Sequence, residues 1–148
     1  MQQPSVVAVI DDLFFQAKVR TALQHLGLAA EIVPNGGRLH ARLQEGHAPA
    51  LVIVDLTLRS GDAASLIRDL RAEEPGRSVP ILAFGSHVAV EVQRQALRAG
   101  ASQVVAKSAF AKRLPQLVRQ FVPGVAESDP VSAPPEGGCD PADQPSDA

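Results

Sequence analysis

The chain predicts an α/β domain built on a parallel sheet with helices on both faces. Two patterns carry that prediction. Four apolar runs, Val6–Ile10, Ala50–Asp55, Pro80–Phe84 and Gln103–Ala106, are nearly continuous rather than alternating, as strands covered on both faces are. Between them recur apolar residues at helical spacing, so strand and helix alternate with short connections, which argues for a parallel sheet.

Taken in order, VVAVI opens the domain as a strand. Phe15, Val19, Ala22, Leu23 and Leu26 then form one stripe of a helix that Gly27 stops. Ala29–Val33 is a weaker strand, and Gly37–Gln44 a short helix bounded by Asn35-Gly36-Gly37 and Gly46. After the LVIVD strand, Ala63, Leu66, Ile67 and Leu70 make a third stripe. Val88, Val92 and Ala96 make a fourth, following PILAF. The last strand, QVVA, leads into a helix marked by Phe110, Leu114, Leu117, Val118 and Phe121, ahead of Pro123. Strand-plus-helix therefore repeats five times.

A chain of 148 residues suits one such domain with a real core. Its charge divides it. Residues 1–122 hold all 14 Lys and Arg against 10 acids, whereas residues 123–148 hold six acids, six prolines and no base. The first part is expected to fold; the second cannot bury enough surface to offset its ordering entropy and is expected to be a disordered acidic tail. A single cysteine, Cys139, excludes an internal disulfide framework. No basic run or aromatic-basic patch invites nucleic acid. MQQPS lacks the basic region of a signal peptide, and no apolar stretch is long enough to span a bilayer. A cytoplasmic chain without direct nucleic-acid or membrane partners is expected.

The chemistry gathers at strand ends. Asp11 and Asp12 follow VVAVI, Asp55 ends LVIVD and Lys107 follows QVVA. Carboxyl ends of neighbouring parallel strands converge on one crevice. Converging carboxylates repel unless a cation joins them, and hard oxygens suit Mg²⁺. One carboxylate would then be free to act as a nucleophile towards a phosphoryl group. An isolated Asp at a strand end more often caps the following helix, and Asp12 before LFFQ could do only that. The trio with Lys107 argues for more, because clustered carboxylates lacking a cation are destabilising.

VIDD, LVIVD and VVAKSAF, with Gly27, the Asp62 of SGDA and RAGAS, resemble the receiver domain of two-component response regulators from about Val6 to Phe121. The resemblance implies a flavodoxin-like fold, strand order 2-1-3-4-5, and a phosphoryl group taken on Asp55 from a histidine kinase or phosphotransfer protein. It implies Mg²⁺ held by Asp12, Asp55 and the backbone carbonyl of Thr57, with Asp11 acting through water and Lys107 pairing with phosphoryl oxygens. Positioning and charge neutralisation are what phosphoryl transfer needs. It also allows a homodimer.

Three positions depart from that pattern. Gly85 stands where the family has Thr or Ser, Val104 where it has an aromatic, and Ser108 where a proline follows the lysine. Ser86 either substitutes for the missing hydroxyl or caps the next helix, the second being favoured. The acceptor chemistry is therefore expected intact and the usual switch altered. His25, His40, His47 and His87 show no ligand spacing, although His87 lies near the pocket rim.

The leading function is a stand-alone phosphoryl acceptor in a phosphorelay, signalling to a downstream protein by contact, and not a turnover enzyme. The alternative is a pseudo-receiver, a phosphorylation-independent binding or scaffold module, which Gly85 and Val104 favour. Enzymatic readings fare worse. A phosphatase of the aspartyl-phosphate type wants an acid where Thr57 stands, and no GxxxxGK[ST] loop is present.

Overall fold

A computed structural model describes residues 5–45, 48–58, 62–72, 74, 76–86 and 88–122. The expectations for His47, His87 and the tail 123–148 lie outside the described residues. Five strands, β1 (Ser5–Val9), β2 (Ala29–Val33), β3 (Leu51–Asp55), β4 (Ile81–Gly85) and β5 (Gln103–Ala106), alternate with five helices. These are α1 (Leu13–His25), α2 (Gly36–Leu43), α3 (Ala63–Ala72), α4 (Val90–Ala99) and α5 (Lys107–Phe121). The sheet is parallel in the order β2-β1-β3-β4-β5. The fold is the flavodoxin-like one expected, with strand limits displaced by a residue at β1, β3 and β4.

The alternation of side chains along each strand divides the core in two. Val6, Ala8, Ile10, Ile53, Leu82 and Phe84 face α1 and α5, where Phe15, Val19, Leu23, Phe110, Leu114, Leu117 and Val118 close over them. Val7, Val9, Val52, Val54, Ile81 and Ala83 face α2, α3 and α4, meeting Leu39, Leu43, Ile67, Leu70, Ala96 and Ala99. The central strands β1, β3 and β4 are therefore apolar on both sides, as their unbroken runs require.

Two helices differ from the sequence pattern. The fourth stripe holds at Ala96 and is corrected at the two valines: Val88 is 74% exposed and Val92 is 42% exposed, and the helix buries Ala99 beside Ala96. The cause is the turn before it. Ala89 N–H donates to the Ser86 carbonyl at 3.1 Å, so α4 starts at Val90 and Val88 lies outside its periodicity. In α5, Arg113 leaves the helical region (φ −117°, ψ 23°) two residues before Pro115. The proline ring would otherwise clash with the carbonyl four residues back, and it has no N–H to give.

At the amino-terminal end of β4 and β5, Arg71 ties the loops together. Its guanidinium donates to the carbonyls of Gly76, Arg77, Val79 and Gly100 at 2.9, 3.1, 2.6 and 2.9 Å, and to Ser102 Oγ at 3.3 Å. Burial lowers the affinity of this guanidinium for its proton relative to the ordinary value, though an arginine remains charged. Gly100 adopts a φ of 125°, and a β-carbon there would come within 2.6 Å of Arg71 Cγ. A glycine is what lets the clamp close.

Candidate functional site

The opposite ends of the strands bring the predicted residues to one rim. Val9 pairs with Val54 in the β1–β3 register, so Ile10 lies beside Asp55, with Asp11 and Asp12 one and two residues beyond. Asp55 pairs with Phe84, and Gly85 with Ala106, which sets Lys107 beside Ser86 across the β4–β5 end.

Asp55 is 1% exposed, the one buried polar or charged residue among those described. Its Oδ1 accepts from Thr57 N–H at 2.8 Å and from the Thr57 hydroxyl at 2.6 Å. These bonds fix the carboxylate plane and leave Oδ2 outside them. A buried carboxylate held at one oxygen still wants positive charge at the other.

Asp12 caps α1. Its Oδ1 accepts from Phe14 N–H at 2.9 Å and from Phe15 N–H at 3.3 Å, and both it and Asp11 are half-buried. The helix-capping alternative for Asp12 is thus realised, and it engages one oxygen only. Asp62 similarly receives Ala64 N–H and the Ser65 hydroxyl at the start of α3. Lys107 begins α5 directly after β5; Ala106 gives this helix no side-chain cap. Its ammonium lies 4.7 Å from the centre of the Phe15 ring.

Ser86 lies in the turn before α4, where its hydroxyl oxygen serves as an acceptor and its O–H keeps its donor capacity. Its Oγ accepts from Val88 N–H at 3.3 Å, and its carbonyl accepts from Gln93 Nε2 at 2.7 Å. The hydroxyl closes the turn ahead of α4 but does not cap it: the N-cap is Ala89, which makes no side-chain cap bond. The capping role favoured from the sequence is therefore corrected, because the turn puts three residues between Ser86 and the first residue of the helix. Val104 is half-buried and packs on the α2–α4 side of the sheet. Sequence spacing did not mark Leu56, which lies against Gly85, or the neighbourhood of Phe15. Leu13 and Phe14, 77% and 91% exposed, stand at the mouth beside the acids. A cavity of about 640 Å³ opens between α2 and α3, with Asp62 in its lining; Asp11, Asp12, Asp55 and Lys107 do not line it.

A parallel doubly wound sheet with acids at the carboxyl ends of β1 and β3, and a lysine directly after the edge strand β5, defines the class of α/β domains that work at their strand ends. Residues 6–119 match the model of the response regulator receiver domain family. The chain belongs to that family, the receiver domains of two-component systems. No curated protein matches it. Among solved structures, it is similar to the receiver domain of the sensor histidine kinase PA1611 from Pseudomonas aeruginosa PAO1, described with a magnesium ion coordinated in its active-site cleft. That likeness has a TM-score of 0.73 at 23% identity, over 82% of this chain and 98% of the other. It is also similar to the chemotaxis response regulator CheY4 of Vibrio cholerae (0.73, 19%, over 81% and 99%). A putative response regulator from Chloroflexus aurantiacus J-10-fl is a third (0.74, 19%, over 82% and 98%). At these identities the structures establish the shared fold.

The family implies magnesium, and the donors present fit it. Among the described residues no group of three or more His, Cys, Asp or Glu side chains could hold a metal ion. The implied direct set asks for only two carboxylates, Asp12 and Asp55, and the Thr57 carbonyl. Each carboxylate has one oxygen engaged by an N–H. Hard oxygen donors in that number suit Mg²⁺, which keeps several waters.

Proposed function

We propose that this domain accepts a phosphoryl group on Asp55 from a histidine kinase or phosphotransfer protein and signals by protein–protein contact. The observation that carries the proposal is the burial of Asp55 at the end of β3 with Oδ1 held by Thr57, beside the acids that end β1.

Asp55 attacks the donor phosphorus through Oδ2. An O–P bond forms as the P–N bond of a phosphohistidine breaks, and the imidazole keeps the electron pair and is protonated in solution. Thr57 holds Oδ1 so that the attacking oxygen does not rotate away. Lys107 offers its ammonium to the phosphoryl oxygens, whose charge must be neutralised. Mg²⁺ bound by Asp12, Asp55 and the Thr57 carbonyl, with Asp11 acting through water, would supply further neutralisation. Water later attacks the phosphorus, releasing inorganic phosphate and returning the carboxylate. The phosphoryl group rides on the domain's own side chain and its lifetime there is the signal, so we read a signalling domain and not a turnover enzyme. Among the described residues no helix is long and apolar enough to cross a membrane; a cytoplasmic site of action is part of the proposal and rests on the family. The exposed Val88, Val90 and Leu97 around α4 suit a downstream protein or a second copy of the chain better than nucleic acid.

A second reading, a phosphorylation-independent binding module, draws on Gly85 and Ser86. Position 85 has no hydroxyl, and the hydroxyl of Ser86 is bonded to Val88 N–H. Intact-protein mass after incubation with acetyl phosphate and Mg²⁺ separates the two. One added phosphoryl group, absent in Asp55→Asn and in chelator, is the expected result. No adduct with acetyl phosphate or with a phosphorylated kinase would turn the assignment to the binding module.

A further inference from the structure

Beneath the crevice lies an aromatic cluster that the acceptor chemistry does not by itself require. Phe84 and Phe110 stack at 4.3 Å with 15° between their planes. Phe15 leans on both, at 5.2 and 5.8 Å. Phe84 is the register partner of Asp55. Phe15 is 9% exposed and belongs to the first turn of α1, where its N–H is held by Asp12. The ammonium of Lys107 sits over the face of that same ring. The ring under the cation thus packs on Phe84, the residue that stands opposite Asp55 on the neighbouring strand.

A lysine is a point charge on a flexible four-carbon stem. Ordering it for each reaction costs conformational entropy. A ring that holds the ammonium on one face leaves its other N–H donors free, and the attraction is electrostatic, through the ring quadrupole. We infer that Phe15 is a positioning residue for Lys107, a platform that presents the ammonium to the phosphoryl oxygens on Asp55. This inference rests on the acceptor reading above. Leucine fills similar space in a core without a quadrupole, whereas tyrosine keeps the ring, so the two substitutions separate packing from platform.

The test uses the full chain and its Phe15→Leu and Phe15→Tyr variants. Two quantities are measured: the ring-current displacement of the Lys107 side-chain CH₂ signals in metal-free protein, and the affinity for beryllofluoride with Mg²⁺. Phe15→Leu is expected to abolish the displacement and weaken beryllofluoride binding by about five-fold, the scale of a cation–π contact. Its Mg²⁺ affinity should be unchanged, and Phe15→Tyr should restore both signals. Undisplaced Lys107 signals in the wild type, or wild-type beryllofluoride affinity in folded Phe15→Leu, would overturn the platform alone. A wild type that shows the displacement yet takes up no beryllofluoride would instead sink the acceptor reading, and the platform's role with it.

Discussion

Leu56 lies across Gly85: a β-carbon added at position 85 would come 3.1 Å from Leu56 Cβ and 3.3 Å from its Cδ1. The missing hydroxyl is therefore part of a packing pair and not a lone substitution. Gly85→Thr is expected to destabilise the domain by about 1–3 kcal/mol through overpacking. In the double variant with Leu56→Ala the two changes should be non-additive, the second offsetting part of the first. Chemical denaturation of all four proteins gives the cycle; strict additivity would show that the two side chains do not compete for one space.

Asp12 is expected to serve both the helix and the metal, and two substitutions separate these roles. Asp12→Asn keeps a good cap, whereas Asp12→Ala loses it at about 1 kcal/mol. Mg²⁺ affinity should fall in both, by at least the roughly 10–100-fold lost with weaker supporting groups. Urea unfolding and Mg²⁺ titration read the two effects independently. Equal Mg²⁺ affinity in wild type and Asp12→Asn would confine Asp12 to capping.

Thr57 holds Asp55 Oδ1 through its hydroxyl as well as its N–H. Thr57→Val removes the first bond and leaves the second, at a cost of about 1 kcal/mol. The rate of adduct formation from acetyl phosphate, followed by mass, should fall with it, and Thr57→Ser should recover the rate. Identical rates in all three proteins would show that the backbone bond alone sets the carboxylate.

Arg71 meets five acceptors in the loops before β4 and β5. Its replacement by alanine is expected to cost about 2–4 kcal/mol, since hydrogen bonds to charged groups are among the stronger ones. Arg71→Lys should recover little, because one ammonium cannot span that fork of donors. Denaturant midpoints settle it, and a lysine variant as stable as the wild type would refute the clamp.

Much of this arrangement was legible before any coordinates. Apolar runs such as LVIVD and VVAVI declare strands buried on both faces, and an acid directly after each must lie at the strand end, where a parallel sheet gathers its chemistry. The fourth helix was less legible. Val88 and Val92 have helical spacing with Ala96, but the turn made by Ser86 resets the helix start, and small Ala96 and Ala99 carry its packing instead. Apolar spacing also passed over Pro115, because a kink can preserve the stripe while breaking the backbone between Phe110 and Leu117. Spacing marks Phe15 as core. It cannot tell which cation lies across the ring, since that partner arrives from the far end of the chain.

The Arg71 clamp and the acidic crevice occupy opposite ends of the sheet. Substitution at the mouth therefore proceeds over a foundation it does not disturb. Here Gly85, Val104 and Ser108 stand where the family resemblance leads one to expect a hydroxyl, an aromatic and a proline, while the fold persists. Such a scaffold separates what keeps the domain folded, at one end of the sheet, from the side chains free to differ at the other.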